Sequence, residues 1–232
     1  MKALVILSGG QDSTTCAAIA ANEFDEVHTL TFDYGQRHAI ELKSAEAVSK
    51  MIGAASHEVV TLGPVLKGTS PLISDNELGT YDSAEDLPGG VEPTFVPGRN
   101  ILFLTIAANR AYCVGASTLF IGVCQEDFGG YWDCRQSFID CMEKAISQGI
   151  HGNDHGFNIE TPLMDLSKKE SVLLAKDVMG DQFNDLLKAT HTCYAGKRGG
   201  CGECHACILR NRGFKEAGID DPLWEVKALW QI

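Results

Sequence analysis

Three features of the chain predict an α/β fold, a parallel sheet flanked by helices. Strand-like apolar runs at residues 4–7, 27–32, 58–62 and 118–123 alternate with helical patterns. A small-residue turn, Ser8-Gly9-Gly10, joins the first run directly to a helix-forming stretch. From Asp165 onward the chain turns to helices. Alternation of this kind gives a parallel sheet with ligands at the carboxyl ends of its strands.

The elements follow in order. Residues 15–21 are alanine-rich and form the first helix. In residues 38–52, Ile40, Leu42, Ala45, Val48, Met51 and Ile52 recur at helical spacing, and Gly53 is a natural stop. The span 63–97 breaks the pattern with Pro64, Pro71, Pro88 and Pro93 among scattered acids. A loop of that length reads as a mobile flap near a site or, more blandly, as a solvated insertion. Residues 100–114 are apolar nearly all round, which predicts a helix buried on several sides. Residues 135–147 form another amphipathic helix, and Ser167-Lys168-Lys169-Glu170 has capping-box spacing for a helix ending near Gly180. We divide the chain into an α/β domain, residues 1–165, with its long loop at 63–98, and a helical C-terminal region, residues 166–232.

Bulk properties narrow the function. With 232 residues the chain is one large domain, or one with a small appendix. The net charge of -12 argues against a general nucleic-acid surface and favours a small substrate. No apolar run approaches membrane-spanning length, and the first strand is core rather than a leader, so a cytoplasmic protein is expected. Nine cysteines in such a setting point to metal or thiol chemistry rather than disulfides.

The loop Ser8-Gly9-Gly10-Gln11-Asp12-Ser13-Thr14 is a natural phosphate site. Its glycines let the backbone approach oxygen closely, and the free amides of the following helix point at the anion with the dipole behind them. Neither a Gly-Lys-Ser/Thr ending nor Gly-x-Gly-x-x-Gly is present, so it is neither a Walker loop nor a dinucleotide turn. Near the C-terminus, Cys193, Cys201, Cys204 and Cys207 form a Cys-x7-Cys-x2-Cys-x2-Cys cluster among glycines. Four thiolates on tight turns suit a closed, structural zinc site; an iron–sulfur cluster is the competing reading. Cys16 and Cys113 read as buried small hydrophobes, while Cys124 and Cys134 lie near the expected site.

Ser-Gly-Gly-x-Asp-Ser behind a first strand resembles the pyrophosphate loop of the N-type ATP pyrophosphatases, which cleave ATP between the alpha and beta phosphates and adenylate their substrates. Further segments narrow the resemblance. They are residues 31–38 (Thr-Phe-Asp-Tyr-Gly-Gln-Arg-His), 94–100 (Thr-Phe-Val-Pro-Gly-Arg-Asn), 122–135, 160–164 and the cysteine cluster. In their order and spacing they resemble the 7-cyano-7-deazaguanine synthase (QueC) family, from Leu4 to about Phe214.

That resemblance implies an adenine nucleotide alpha hydrolase-like fold. It also implies conversion of 7-carboxy-7-deazaguanine, ATP and ammonia to the nitrile preQ0, with magnesium accompanying ATP. The pyrophosphate loop, residues Ser8 to Thr14, would hold the beta and gamma phosphates. Arg99, opening a helix that reads as buried, needs a phosphate or carboxylate partner. Lys168 resembles the family's phosphate-contacting lysine but could equally be a solvated helix residue. Asp12 is either an organiser of metal and loop or an acid at a helix N-terminus. Tyr34, Arg99, Phe128, Tyr131, Asp133 and Arg135 are the candidates for substrate binding. Phe128, Tyr131 and Trp132 would offer stacking surfaces for the base, Asp133 would accept from its amino and ring NH groups, and Arg135 would pair with its carboxylate. Packing of the loop is the competing role for Tyr131 and Trp132.

One departure stands out. Where the family usually has Ser-Gly-Tyr-Pro-Asp-Cys-Arg, this chain has Gly129-Gly130-Tyr131-Trp132-Asp133-Cys134-Arg135. A variant that stops at the amide, or uses another amine, is therefore an alternative. So are a tRNA-modifying relative, which the acidic composition disfavours, and a zinc-knuckle interaction protein with a degenerate nucleotide fold. The apolar tail from Asp221 covers the core or a subunit interface, and a homodimer is expected.

Overall fold

The computed structural model describes residues 1–36, 40–87, 90–125, 130–150, 152 and 156–224. Among them, one parallel sheet is built from β1 (Lys2–Ile6), β2 (Glu26–Asp33), β3 (Ser56–Thr61), β4 (Thr118–Phe120) and β5 (Asn158–Glu160), in the order β3-β2-β1-β4-β5. All four pairings are parallel, with Val5 opposite Thr29 on one side and Phe120 on the other. The strand β5 was not anticipated. It is three residues long, too short for a pattern of its own, and takes its strand form from pairing Ile159 with Leu119.

β1 shows how both faces are covered. Ala3, Val5 and Leu7 join one core cluster with Cys16, Ala17 and Ala20 of α1 (Gln11–Glu23) and Ala45 and Val48 of α2 (Ile40–Met51). The alternate residues Leu4 and Ile6 join a second cluster with Leu104, Ala107 and Ala111 of α3 (Arg99–Val114) and Ile139 and Ile146 of α4 (Gln136–Ile150). The period of two along the strand thus feeds two helical layers. The C-terminal helices α5 (Lys168–Met179), α6 (Phe183–Ala189) and α7 (His205–Ala217) enter the first cluster through Val172, Ala175, Leu187 and Phe214.

Two expectations change. α3 is covered on one face only, and Ile101 and Tyr112 remain 49% and 60% exposed. Its apolar residues outnumber those that one sheet face can bury. Cys113 lies on that open side and is exposed, whereas Cys16 is fully buried as expected. The long loop is anchored at a few points, while most of its described residues remain exposed or half-buried. Ser70, Glu92 and Thr94 are buried, and the Tyr81 amide bonds the Glu203 carbonyl at 2.8 Å, tying it to the cysteine cluster.

Candidate active site

The strand order reverses between β1 and β4, so the crevice lies beyond their carboxyl ends. A cavity of about 320 Å³ opens there, lined by Ser8, Gly10, Gln11, Asp12 and Ser13 after β1 and by residues 121–124 after β4. The loop is shaped by its own hydroxyls. Ser8 Oγ and Ser13 Oγ lie 3.0 Å apart, Gly10 N donates to Ser8 Oγ at 3.3 Å, and Ser13 Oγ donates to the Gly10 carbonyl at 3.1 Å. No side chain caps α1, so its first amides are left for an anion.

Two glycines allow the loop its position. Gly9 has φ +82°, and a Cβ there would lie 2.6 Å from the Glu41 carbonyl oxygen and 2.7 Å from the Ala45 amide. Gly122 packs the end of β4 against the loop, where a Cβ would fall 2.9 Å from Ser13 N. In both cases the obstacle is backbone and cannot move aside. Thr14 is fully buried beneath the loop and, with Gly9, does not line the cavity.

Lys168 and Arg99 enter from two helices. α5 begins with the anticipated capping box, Ser167 N donating to Glu170 Oε2 at 2.9 Å and Glu170 N to Ser167 Oγ at 3.3 Å. That start aims Lys168 into the cavity, where Nζ bonds Asp12 Oδ2 at 2.8 Å. The carboxylate thereby holds the lysine beside the loop at residues 8–13. Arg99, the first residue of α3, also lines the cavity. Burial alone would lower its pKa, but the phenols of Tyr34, Tyr194 and Tyr131 outweigh it and raise it, so the guanidinium stays charged. Burial pushes the Tyr131 phenol up to about 12 against its hydrogen bond with the Thr94 hydroxyl, and that bond is 2.5 Å long. Burial likewise raises the Glu41 carboxyl to about 7, with Arg99 opposing.

The four cysteine sulfurs all lie within 4.8 Å of one another, and Cys201 and Cys207 Sγ are 3.9 Å apart. A tetrahedral ion with sulfur at about 2.3 Å needs edges of about 3.8 Å, so the donor set fits one metal ion. The Glu203 and Cys204 amides bond Cys201 Sγ at 3.3 and 3.2 Å, as thiolate ligands require. Contact with Cys193 raises the Cys204 thiol to about 12, while bonds from Cys204 and Cys207 lower Cys193. Four such sulfurs share negative charge comfortably only around a cation. The knot adjoins the cavity through Thr192 and Tyr194 on one side and His205 and Ala206 on the other.

A family model described as Queuosine biosynthesis protein QueC matches residues 2–218. The chain belongs to the QueC family. A 7-cyano-7-deazaguanine synthase from Gloeobacter violaceus is 62% identical over 226 residues, covering 97% of this chain and 97% of that one. Among solved structures, a predicted subunit of tRNA methyltransferase from Methanocaldococcus jannaschii is 23% identical with TM-score 0.47, over 75% of this chain and 73% of that chain. U34-tRNA thiolase NcsA from Methanococcus maripaludis, with its 4Fe-4S cluster, is 13% identical with TM-score 0.42, over 77% and 56%. Overlaps as loose as these two say nothing about chemistry.

In this QueC-family chain, Tyr34, Arg99 and Tyr131 of the expected substrate residues line the cavity. Asp133 and Arg135 do not. Asp133 is buried, and its Oδ2 accepts from the Asn100 amide at 3.4 Å while its carbonyl accepts from Asn100 Nδ2 at 3.0 Å. It therefore caps the start of α3, supporting Arg99 from behind. Arg135 is exposed just before α4. Phe128 lies outside the described residues. Trp132 is 60% exposed and rests edge-on against Phe95, ring centroids 5.6 Å apart, so the bulky departure from the family pattern points away from the cavity. Cys124 and Cys134 do line it, and Cys124 Sγ bonds the Leu166 carbonyl at 3.0 Å. Sequence reasoning missed Glu41, His191 and Arg210, which also face the cavity. None of the three carried a distinguishing signal; Glu41 stands in the helix after the second strand like any solvated acid.

Proposed function

We propose that the chain converts 7-carboxy-7-deazaguanine, ATP and ammonia into 7-cyano-7-deazaguanine, as a carbon–nitrogen ligase serving queuosine or related deazapurine synthesis. The observation that carries this reading is the 62% identity, along 97% of both chains, with a 7-cyano-7-deazaguanine synthase. The cavity supports it chemically. A carboxylate resists ammonia because its leaving group would be oxide; adenylation makes AMP the leaving group. Ammonia then gives an amide, and activation of the amide oxygen followed by elimination gives the nitrile. In this reading the uncapped start of α1 with Ser8, Gly10 and Ser13 takes the beta and gamma phosphates, whose charge magnesium shares. Lys168, held by Asp12, meets the phosphate chain. Arg99 faces the alpha phosphate and the reacting carboxylate, and Tyr34 and Tyr131 flank the base. The outward Trp132 favours the full course to the nitrile over a stop at the amide.

ATP turnover is the direct check. With 7-carboxy-7-deazaguanine and ammonium, ATP is expected to yield AMP and pyrophosphate, separable by ion-exchange chromatography. Release of ADP, or ATP breakdown indifferent to the deazaguanine, would refute the reading.

We further propose that Cys193, Cys201, Cys204 and Cys207 hold one structural zinc. A single ion draws all four sulfurs together as here, whereas a cuboidal iron–sulfur cluster seats each thiolate on a different iron and farther apart. The ion would fix the start of α7 and the cavity wall at residues 191–194. Free thiols as ligands fit a reducing cytoplasm. The open side of α3, with Ile101 and Tyr112 exposed, supports a homodimer. Native mass spectrometry is expected to show a dimer with one zinc per chain. A monomer at micromolar concentration would exclude the dimer, and an iron–sulfur mass increment would exclude zinc.

A further inference from the structure

Two carboxylates line the cavity, and they differ in what neutralises them. Asp12 is paired with Lys168 Nζ at 2.8 Å. The Glu41 carboxylate, in the first turn of α2, accepts no hydrogen bond among the described residues. Its charged and titratable surroundings are Arg99, Tyr34 and, from the cysteine knot, Cys193, all of which it meets through space. Its own backbone is braced against Gly9 of the phosphate loop, so the side chain projects from a rigid support.

A half-buried carboxylate is out of place where a nucleoside triphosphate and a second carboxylate must bind, because like charges at short range oppose one another. A cationic reactant removes the conflict. A divalent ion belongs at the phosphate end, with Asp12 and the loop, where it gathers several oxygens. Glu41 instead stands with Arg99, the guanidinium that faces the carboxyl group being activated. The reaction has one other cation to place, the protonated form of its nitrogen donor.

Resting on the synthase reading above, we propose that the Glu41 carboxylate binds ammonium beside Arg99 and accepts the proton whose loss turns it into the nucleophile. Ammonium gives a proton to Glu41 and becomes ammonia. The nitrogen lone pair forms a bond to the carbonyl carbon of the acyl adenylate. The bond from that carbon to the phosphate oxygen breaks, and AMP leaves with the electron pair. The surplus proton on nitrogen passes to water, as does the proton on Glu41 before the next cycle. The residue thereby combines positioning with general-base catalysis.

Glu41→Gln keeps the shape and removes the charge. Its effect is read in two half-reactions: pyrophosphate exchange into ATP dependent on 7-carboxy-7-deazaguanine, and amide formation as ammonium is varied. The variant is expected to raise the apparent KM for ammonium at least tenfold more than it lowers the exchange rate. Hydroxylamine, largely unprotonated at neutral pH, needs no proton acceptor, so it should restore most of the lost rate, and Glu41→Asp should fall between. An unchanged ammonium dependence overturns the proposal. So does a change confined to the KM for the deazaguanine, which would make Glu41 an acceptor for the base, or an equal loss of exchange and amide formation. Absence of deazaguanine-dependent exchange in the wild type would instead remove the synthase reading itself.

Discussion

Arg99→Ala is expected to lower kcat for nitrile formation by about 10²- to 10³-fold, the usual cost of removing one preorganised donor from developing charge. The side chain is the guanidinium at the start of α3, aimed into the cavity and surrounded by phenols. Asp133 accepts from the Asn100 amide and side chain at the start of the helix behind it, so the loss falls on chemistry more than on folding. Arg99→Lys should recover little, because an ammonium cannot reproduce the planar, two-pronged contact with phosphate or carboxylate. AMP release under saturating substrates measures the effect, with the melting temperature as a control. Full turnover by Arg99→Ala would remove the residue from the site.

The largest expected loss of stability lies at Arg210. Its Nε and Nη2 bond Asp221 at 2.7 and 2.8 Å, and Nη1 bonds the Thr190 and Thr192 hydroxyls at 2.8 and 3.0 Å. Both charged side chains are buried. Asp221→Ala would strand a guanidinium away from water and is expected to cost about 3–5 kcal/mol. It also removes the acceptor for the Leu223 amide at 2.9 Å. Because Thr192 is next to Cys193, loosening of this network should also promote metal loss. Denaturant unfolding measures the first effect and a zinc chelation rate the second. A change under about 1 kcal/mol would mean that the pair contributes little beyond repaying its own desolvation.

What could be read from the sequence was local. Residues 4–14 carry strand, turn and helix start in one run, so both the fold class and the loop that lines the cavity were visible there. The capping box at Ser167 set the direction of Lys168, and the cysteine spacing announced its own cluster. Contacts between distant segments were not visible. The Arg210–Asp221 pair and the Lys168–Asp12 pair each join residues whose partners nothing nearby in sequence names. Asp133 was expected at the base because an acid among aromatics suits a purine, yet the nearest unmet donors were those of α3. α3 itself looked enclosed because composition counts apolar residues without saying how many faces the sheet can cover.

The most direct test of the account is a single turnover series with 7-carboxy-7-deazaguanine labelled with ¹⁸O in its carboxyl group, together with ¹⁵N-ammonium and magnesium ATP. Mass spectrometry is predicted to find ¹⁵N in the nitrile and ¹⁸O in AMP, with two AMP released for each nitrile formed. Oxygen label appearing in inorganic phosphate, or left in a deazaguanine that never gains ¹⁵N, would contradict adenylation in this cavity.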